Sequence, residues 1–171
     1  MLLASVVVTL ITLAPAPSAD ESTKGISAKA AFDILKSFAG KWQGTLQEKA
    51  KGPEATVIYR TTANGSVVLE SLFPGTDHEM LTAYHLDGDR LVLTHYCAMS
   101  NQPRMAMSQK STSRELVFDF VGGSNLKPET DTHMHSGVIR ITGKDSIECD
   151  WEIFQDGKKI ANNRFFLTRS N

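Results

Sequence analysis

Three of the five histidines stand where imidazoles could act together: His95, His133 and His135. His133 and His135 form a His-x-His pair. On a strand that spacing sends both rings to one side, about 7 Å apart along the chain. A third ring from another strand would complete a three-His site with an open coordination position, able to bind zinc or iron or to activate water. The preferred alternative is that these rings hydrogen-bond one another, a water or Tyr84 inside a polar-lined cavity. The first reading implies a transition metal or haem as cofactor; the preferred one implies none. Other residues join the candidate ligand-binding set. Glu70 interrupts the apolar run Val67–Phe73 and either lines the interior or faces outward. Cys97 and Trp151 lie on the same strand faces as other interior candidates. Arg104, in a loop after His95, could take a carboxylate or phosphate through two parallel hydrogen bonds, or simply be solvated.

No motif nominates a catalytic residue. There is no Gly-rich phosphate loop, Cys-x-x-Cys, His-Glu-x-x-His or Gly-x-Ser-x-Gly, and the balance leans against an enzyme. The net charge is −1, from 18 basic and 19 acidic residues. A nucleic-acid partner normally requires a basic excess, and there is none. A small-molecule ligand is the expected partner; nothing sets the oligomeric state.

The elements that must position these residues are strands. After a short helix opening at Ser27, with Phe32, Leu35 and Phe38 on one face, Gly40 stops the helical pattern. Apolar residues then recur at period two. Asn64-Gly65, Asp87-Gly88-Asp89, Gly143-Lys144-Asp145 and Asp156-Gly157 mark hairpins. Met99–Arg104 reads as a loop because of Pro103, and residues 122–130 as the longest loop. About ten short strands follow one another with connections too short for parallel crossovers. The expected fold is all-β: a single closed up-and-down antiparallel barrel of about 8–10 strands with a short N-terminal helix, since closure removes exposed edges.

Alternation then assigns faces. Leu91, Leu93, His95 and Cys97 share one face; His133, His135, Gly137, Ile139 and Ile141 another; Ile147, Cys149, Trp151 and Ile153 a third. All three are expected to face inward. Cys97 and Cys149 fall on strands that are not neighbours, which favours two thiols over a bridge.

The uncharged run Leu2–Ala14 is too short for a comfortable membrane span and is followed by small residues, which fits a signal peptide over residues 1–19. A mobile leader over 20–26 and a barrel domain over 27–171 would follow, in a secreted or periplasmic protein. No span long enough for a bilayer remains once the leader is removed.

The run Phe38-Ala39-Gly40-Lys41-Trp42-Gln43-Gly44 resembles the start of calycins, in which a short helix leads into a Gly-x-Trp on the first barrel strand. Lipocalins, fatty-acid-binding proteins and nitrobindin-like haem proteins share that opening. The resemblance implies a latch, in which an Arg or Lys of the last strand packs over the Trp as a cation–π pair. Arg169 stands at the matching place, with Arg164 as a second candidate. The chain from the leader onward also resembles uncharacterised exported bacterial lipocalin-like proteins of the DUF1579 type, in Gly40-x-Trp42, Tyr84–Asp89 and Trp151…Asp156-Gly157-Lys158. That implies a small-molecule-binding habit and no established catalytic residue. Nitrobindin-like proteins begin with a longer glycine-rich run, which Thr45-Leu46 does not continue; this departure argues against haem.

Overall fold

The structure, a computed structural model, describes residues 25–47 and 52–170. The expected signal peptide over 1–19 lies outside the described residues, as does the leader up to residue 24. The end of that leader is tied down: Ile26 N–H donates to the Ser111 carbonyl at 3.1 Å.

One helix, α1 (Ala28–Ser37), precedes ten strands: β1 (Gly40–Leu46), β2 (Glu54–Thr62), β3 (Val67–Leu72), β4 (Met80–Asp87), β5 (Arg90–Tyr96), β6 (Gln102–Met107), β7 (Glu115–Ser124), β8 (His133–Gly143), β9 (Ser146–Gln155) and β10 (Lys158–Arg169). Each strand pairs antiparallel with its sequence neighbours, and β1 pairs with β10 to close the barrel. No strand of the ring is left with a free edge. Among the described residues no helix is long and apolar enough to cross a membrane.

Two local expectations need correction. Pro103 does not hold its segment out of the sheet. β6 begins at Gln102, and Pro103 pairs with Gly123 of β7. Arg104 is therefore on a strand rather than in a loop, and β7 extends through Ser124 into the expected long loop. The Asn64-Gly65 hairpin forms between β2 and β3 as expected, through a 3-10 turn over Ala63–Gly65 with positive φ at Ala63 (50°), Asn64 (53°) and Gly65 (84°).

Ser27 caps α1, its hydroxyl accepting from Ala30 N–H at 3.2 Å, which satisfies one of the orphan donors of the first turn. Ala31, Phe32 and Leu35 are buried, and α1 lies against β2, β4 and β5. It runs directly into the start of β1, so it closes the barrel end carrying the β2–β3, β4–β5, β6–β7 and β8–β9 connections. Phe38, Trp42 and Tyr59 form a T-shaped aromatic group beneath it, with centroids 5.6–6.5 Å apart.

The join between first and last strands is built there. Trp42 pairs with Arg169 in register, and the Arg169 guanidinium sits 4.4 Å from the indole centroid. The same guanidinium donates to the carbonyls of Ser37 (2.9 Å) and Ala39 (2.8 Å) and to Asp145 (3.1 Å). Trp42 Nε1–H donates to Phe38 O at 2.7 Å. One arginine thus stacks on the first strand and ties off carbonyls left open at the helix C-terminus. Arg164, the second latch candidate, bonds Asp150 instead. Close approach of β1 and β10 also needs Gly44, where a Cβ would fall 1.7 Å from Phe166 O.

The two ends of the barrel differ. Inward residues near α1 are fully covered: Trp42, Leu91, Leu116, Ile139, Ile147 and Leu167 are each 2% exposed or less. Coverage at the far end is uneven: Ala55, Leu72, Phe165 and Met134 are buried there, while Leu46, Met80 and Ile153 are only half-buried, and Phe73 and Cys97 beside them likewise. The far end, the less covered of the two and lined there by apolar side chains, is taken as the mouth of the barrel.

Candidate functional site

The cross-strand register sets four polar side chains in one inward row. Tyr59 of β2 pairs with Glu70 of β3, Glu70 with Thr82 of β4, and Thr82 with His95 of β5. All four are 2% exposed or less. The row lies below the mouth: Leu72 and Met80 follow Glu70 and Thr82 toward it on β3 and β4.

Glu70 faces inward, which resolves the choice left open by its sequence. The Tyr84 hydroxyl donates to Glu70 Oε2 in a short hydrogen bond, and the Tyr84 ring packs on Phe118 at 5.8 Å. Burial pushes the Glu70 carboxyl up to about 7, against the opposing pull of the Tyr84 and Tyr59 hydroxyls. The Tyr59 hydroxyl is buried beside Glu70 and Cys149, close enough to act on both, though its geometry falls short of a well-formed hydrogen bond to either. Burial and the neighbouring Glu70 charge push the Tyr59 and Tyr84 phenols well up, and the same two causes raise the Cys149 thiol. At neutral pH these three groups are protonated, and Glu70 alone among them titrates.

His95 closes the row. Its Nδ1 is 2.9 Å from Thr82 Oγ1. Its Nε2, on the far side of the ring, has no partner and is fully buried. Burial depresses its pKa to about 4, so the ring is neutral at physiological pH. Just before β6 stands Asn101, whose carbonyl accepts from Cys97 N–H. Asn101 Nδ2 donates to Thr132 O at 2.8 Å, and its Oδ1 is a second buried oxygen without a partner.

His133 and His135 form a separate unit. The His133 Nδ1–H donates to the Asp131 carbonyl at 2.8 Å. Its Nε2 lies 3.0 Å from His135 Nδ1, which donates to it when His133 is neutral. The His135 ring is sandwiched between Phe120 and Phe154, at 4.9 and 4.0 Å. Burial and the neighbouring His133 depress the His135 pKa. A β-bulge explains the placement. Met134 pairs with Ile153 and Ser136 with Glu152, so His135 is the extra residue. The uninterrupted alternation that puts His133 and His135 in phase with Gly137 and Ile139 is broken there, and His133 pairs with Phe154.

The three histidines therefore do not meet. His95 belongs to the Thr82 row, and the other two bond each other. Among the described residues no group of three or more His, Cys, Asp or Glu side chains is placed to hold a metal ion.

The remaining candidates fall elsewhere. Arg104 is exposed on the outer face of β6, opposite Thr94, and lines a shallow external depression with His85, Asp87, Arg90 and Val121. Trp151 is buried over Gly137, where a Cβ would come within 2.1 Å of the ring. It is core, with glycine opposite to make room. Cys149 is a buried free thiol; Cys97, also free, is half-buried at the mouth with its Sγ 4.0 Å from Met80 Sδ. Outside the barrel, Asp150 clamps three strands, accepting from Arg140 (2.9 Å), Arg164 (2.8 Å) and Asn162 (2.5 Å). Burial would raise its carboxyl, but these bonds hold it below the usual range.

Sequence reasoning missed Tyr59, Thr82 and the role of Asn101. For the first, a signal was available: Ala55, Val57 and Tyr59 alternate with Thr56, Ile58 and Arg60, which places the phenol inward.

Fold and site together define a closed, ten-stranded antiparallel barrel with one capped end, one apolar mouth and a buried polar row between them. A solved structure shares that fold: the crystal structure of Rv2717c from M. tuberculosis, 16% identical, with a TM-score of 0.53, covering 82% of this chain and 98% of that one. No protein-family model and no curated protein sequence matches the chain.

Proposed function

We propose that this protein binds a small, partly apolar molecule inside its barrel, entering at the end opposite α1. One observation carries this reading: the buried, unpartnered His95 Nε2 at the inner edge of an apolar mouth. A buried polar atom left without a hydrogen bond costs about 1–3 kcal/mol. A ligand that supplies the missing partner recovers that cost while its apolar part covers Leu46, Phe73, Met80 and Ile153. Lipocalin-like character and export belong to the same proposal. They rest on the Gly40-x-Trp42 opening and on the uncharged Leu2–Ala14 run before the small residues up to Ala19.

Titration of the purified protein with the neutral fluorophore N-phenyl-1-naphthylamine tests the reading. Saturable 1:1 enhancement is expected, weakened about tenfold by His95→Gln, the equivalent of one hydrogen bond. A barrel that gives no saturable signal, and no small molecule in the organic extract of untagged protein, is a filled structural barrel instead.

A further inference from the structure

The polar row is unusual in its charge. Among the described residues no Lys or Arg is buried. Arg169, which shares the inward phase, has its guanidinium committed to Ser37 O, Ala39 O and Asp145 at the capped end. The buried interior instead holds a carboxyl, Glu70, fixed by Tyr84. A barrel that receives a fatty acid or another carboxylate needs a cation, or several donors, where the anion ends. Here the anion would share the row with a second carboxyl, two strands away from His95 in register. A hydroxyl meets no such conflict. It both donates and accepts, so it satisfies His95 Nε2 in either tautomer.

We propose that the interior selects neutral, hydroxyl-bearing amphiphiles over carboxylates of the same chain length, and that Glu70 is the residue that excludes the anion. This rests on the barrel-binding reading above and adds to it a ligand class and a specificity residue. The groups facing Glu70 are Tyr59 from β2, Tyr84 from β4 and Cys149 from β9, all held protonated by burial. Exclusion is therefore strongest above about pH 7, where Glu70 itself ionises.

The test is displacement of N-phenyl-1-naphthylamine from the full chain by 1-decanol and by decanoate near pH 8. In the wild type, decanol should displace the probe at least about tenfold more effectively than decanoate, a charge effect of the size that one unfavourable buried pair produces. In Glu70→Gln, decanoate should come within about threefold of decanol, the ratio of the two being the readout. Tyr84→Phe, which keeps the carboxyl, should still exclude decanoate. Lowering the wild type to about pH 6, where decanoate stays ionised and Glu70 is mostly protonated, should narrow the gap with no substitution at all. Equal displacement by the two compounds in the wild type overturns the inference alone. So does a decanoate affinity that neither Glu70→Gln nor the lower pH improves. Failure of the probe to bind saturably overturns the barrel-binding reading, and this inference with it.

Discussion

Glu70→Gln should stabilise the barrel at alkaline pH and leave it nearly unchanged at acid pH. Glu70 holds its proton in the folded state up to about 7, against an ordinary value of 4.5. Between those limits the unfolded chain has lost the proton and the folded chain has not. Each pH unit in that window therefore removes about 1.4 kcal/mol of stability, for a total near 3 kcal/mol. Glutamine keeps an oxygen for Tyr84 and escapes the loss. His95 runs the other way. Its folded value of about 4 lies below the ordinary 6.5, so stability is complete above about pH 6.5 and falls as the pH drops toward 4, again by about 3 kcal/mol. In the wild type the two slopes oppose each other between about pH 4.5 and 6.5 and nearly cancel. The single variants should unmask them. Relative to the wild type, Glu70→Gln should gain stability as pH rises, and His95→Gln as pH falls. Urea unfolding at a series of pH values measures both differences. A flat difference for either variant would mean that its side chain is not buried as described.

Trp42→Ala should be the most damaging single truncation in the chain, costing about 3–5 kcal/mol, the range for a buried aromatic replaced by alanine. Trp42 is 1% exposed, stacks under Arg169 and donates to the end of α1. Arg169→Ala should cost about 2 kcal/mol through its lost carbonyl hydrogen bonds and cation–π contact. The double variant should fall short of the sum by about 0.5–1 kcal/mol, the coupling of the stacked pair. Additive effects, or an Arg169→Ala variant as stable as the wild type, would show that the first and last strands are held by their ladder alone. Because the latch secures α1, Arg169→Ala should also expose the capped end.

Much of the barrel was legible because its determinants are local. The Gly40-x-Trp42 start and the alternation in β5 and β9 each sit within a few residues. The latch was legible only through the family resemblance, since Trp42 and Arg169 are far apart in sequence. Two errors concern where strand pairing is interrupted. Alternation counts residues as if every one has a partner, and the bulge at His135 violates that, so the His-x-His pair could not be phased from the sequence alone. Pro103 read as a breaker because it lacks an N–H, yet β6 accommodates it opposite Gly123. Arg104 was misplaced with it. The polar row was missed for a different reason. Tyr59, Glu70, Thr82 and His95 become neighbours only through the registers of three strand pairs, which connect residues far apart in sequence.

The most direct measurement is imidazole 15N NMR of the full-length protein as 1-decanol is added. His95 Nε2 should shift saturably, in step with displacement of the fluorescent probe, while His95 Nδ1, held by Thr82, and the His133–His135 pair stay where they are. Saturable binding with the His95 resonances unmoved would place the ligand outside the polar row and contradict the proposed site.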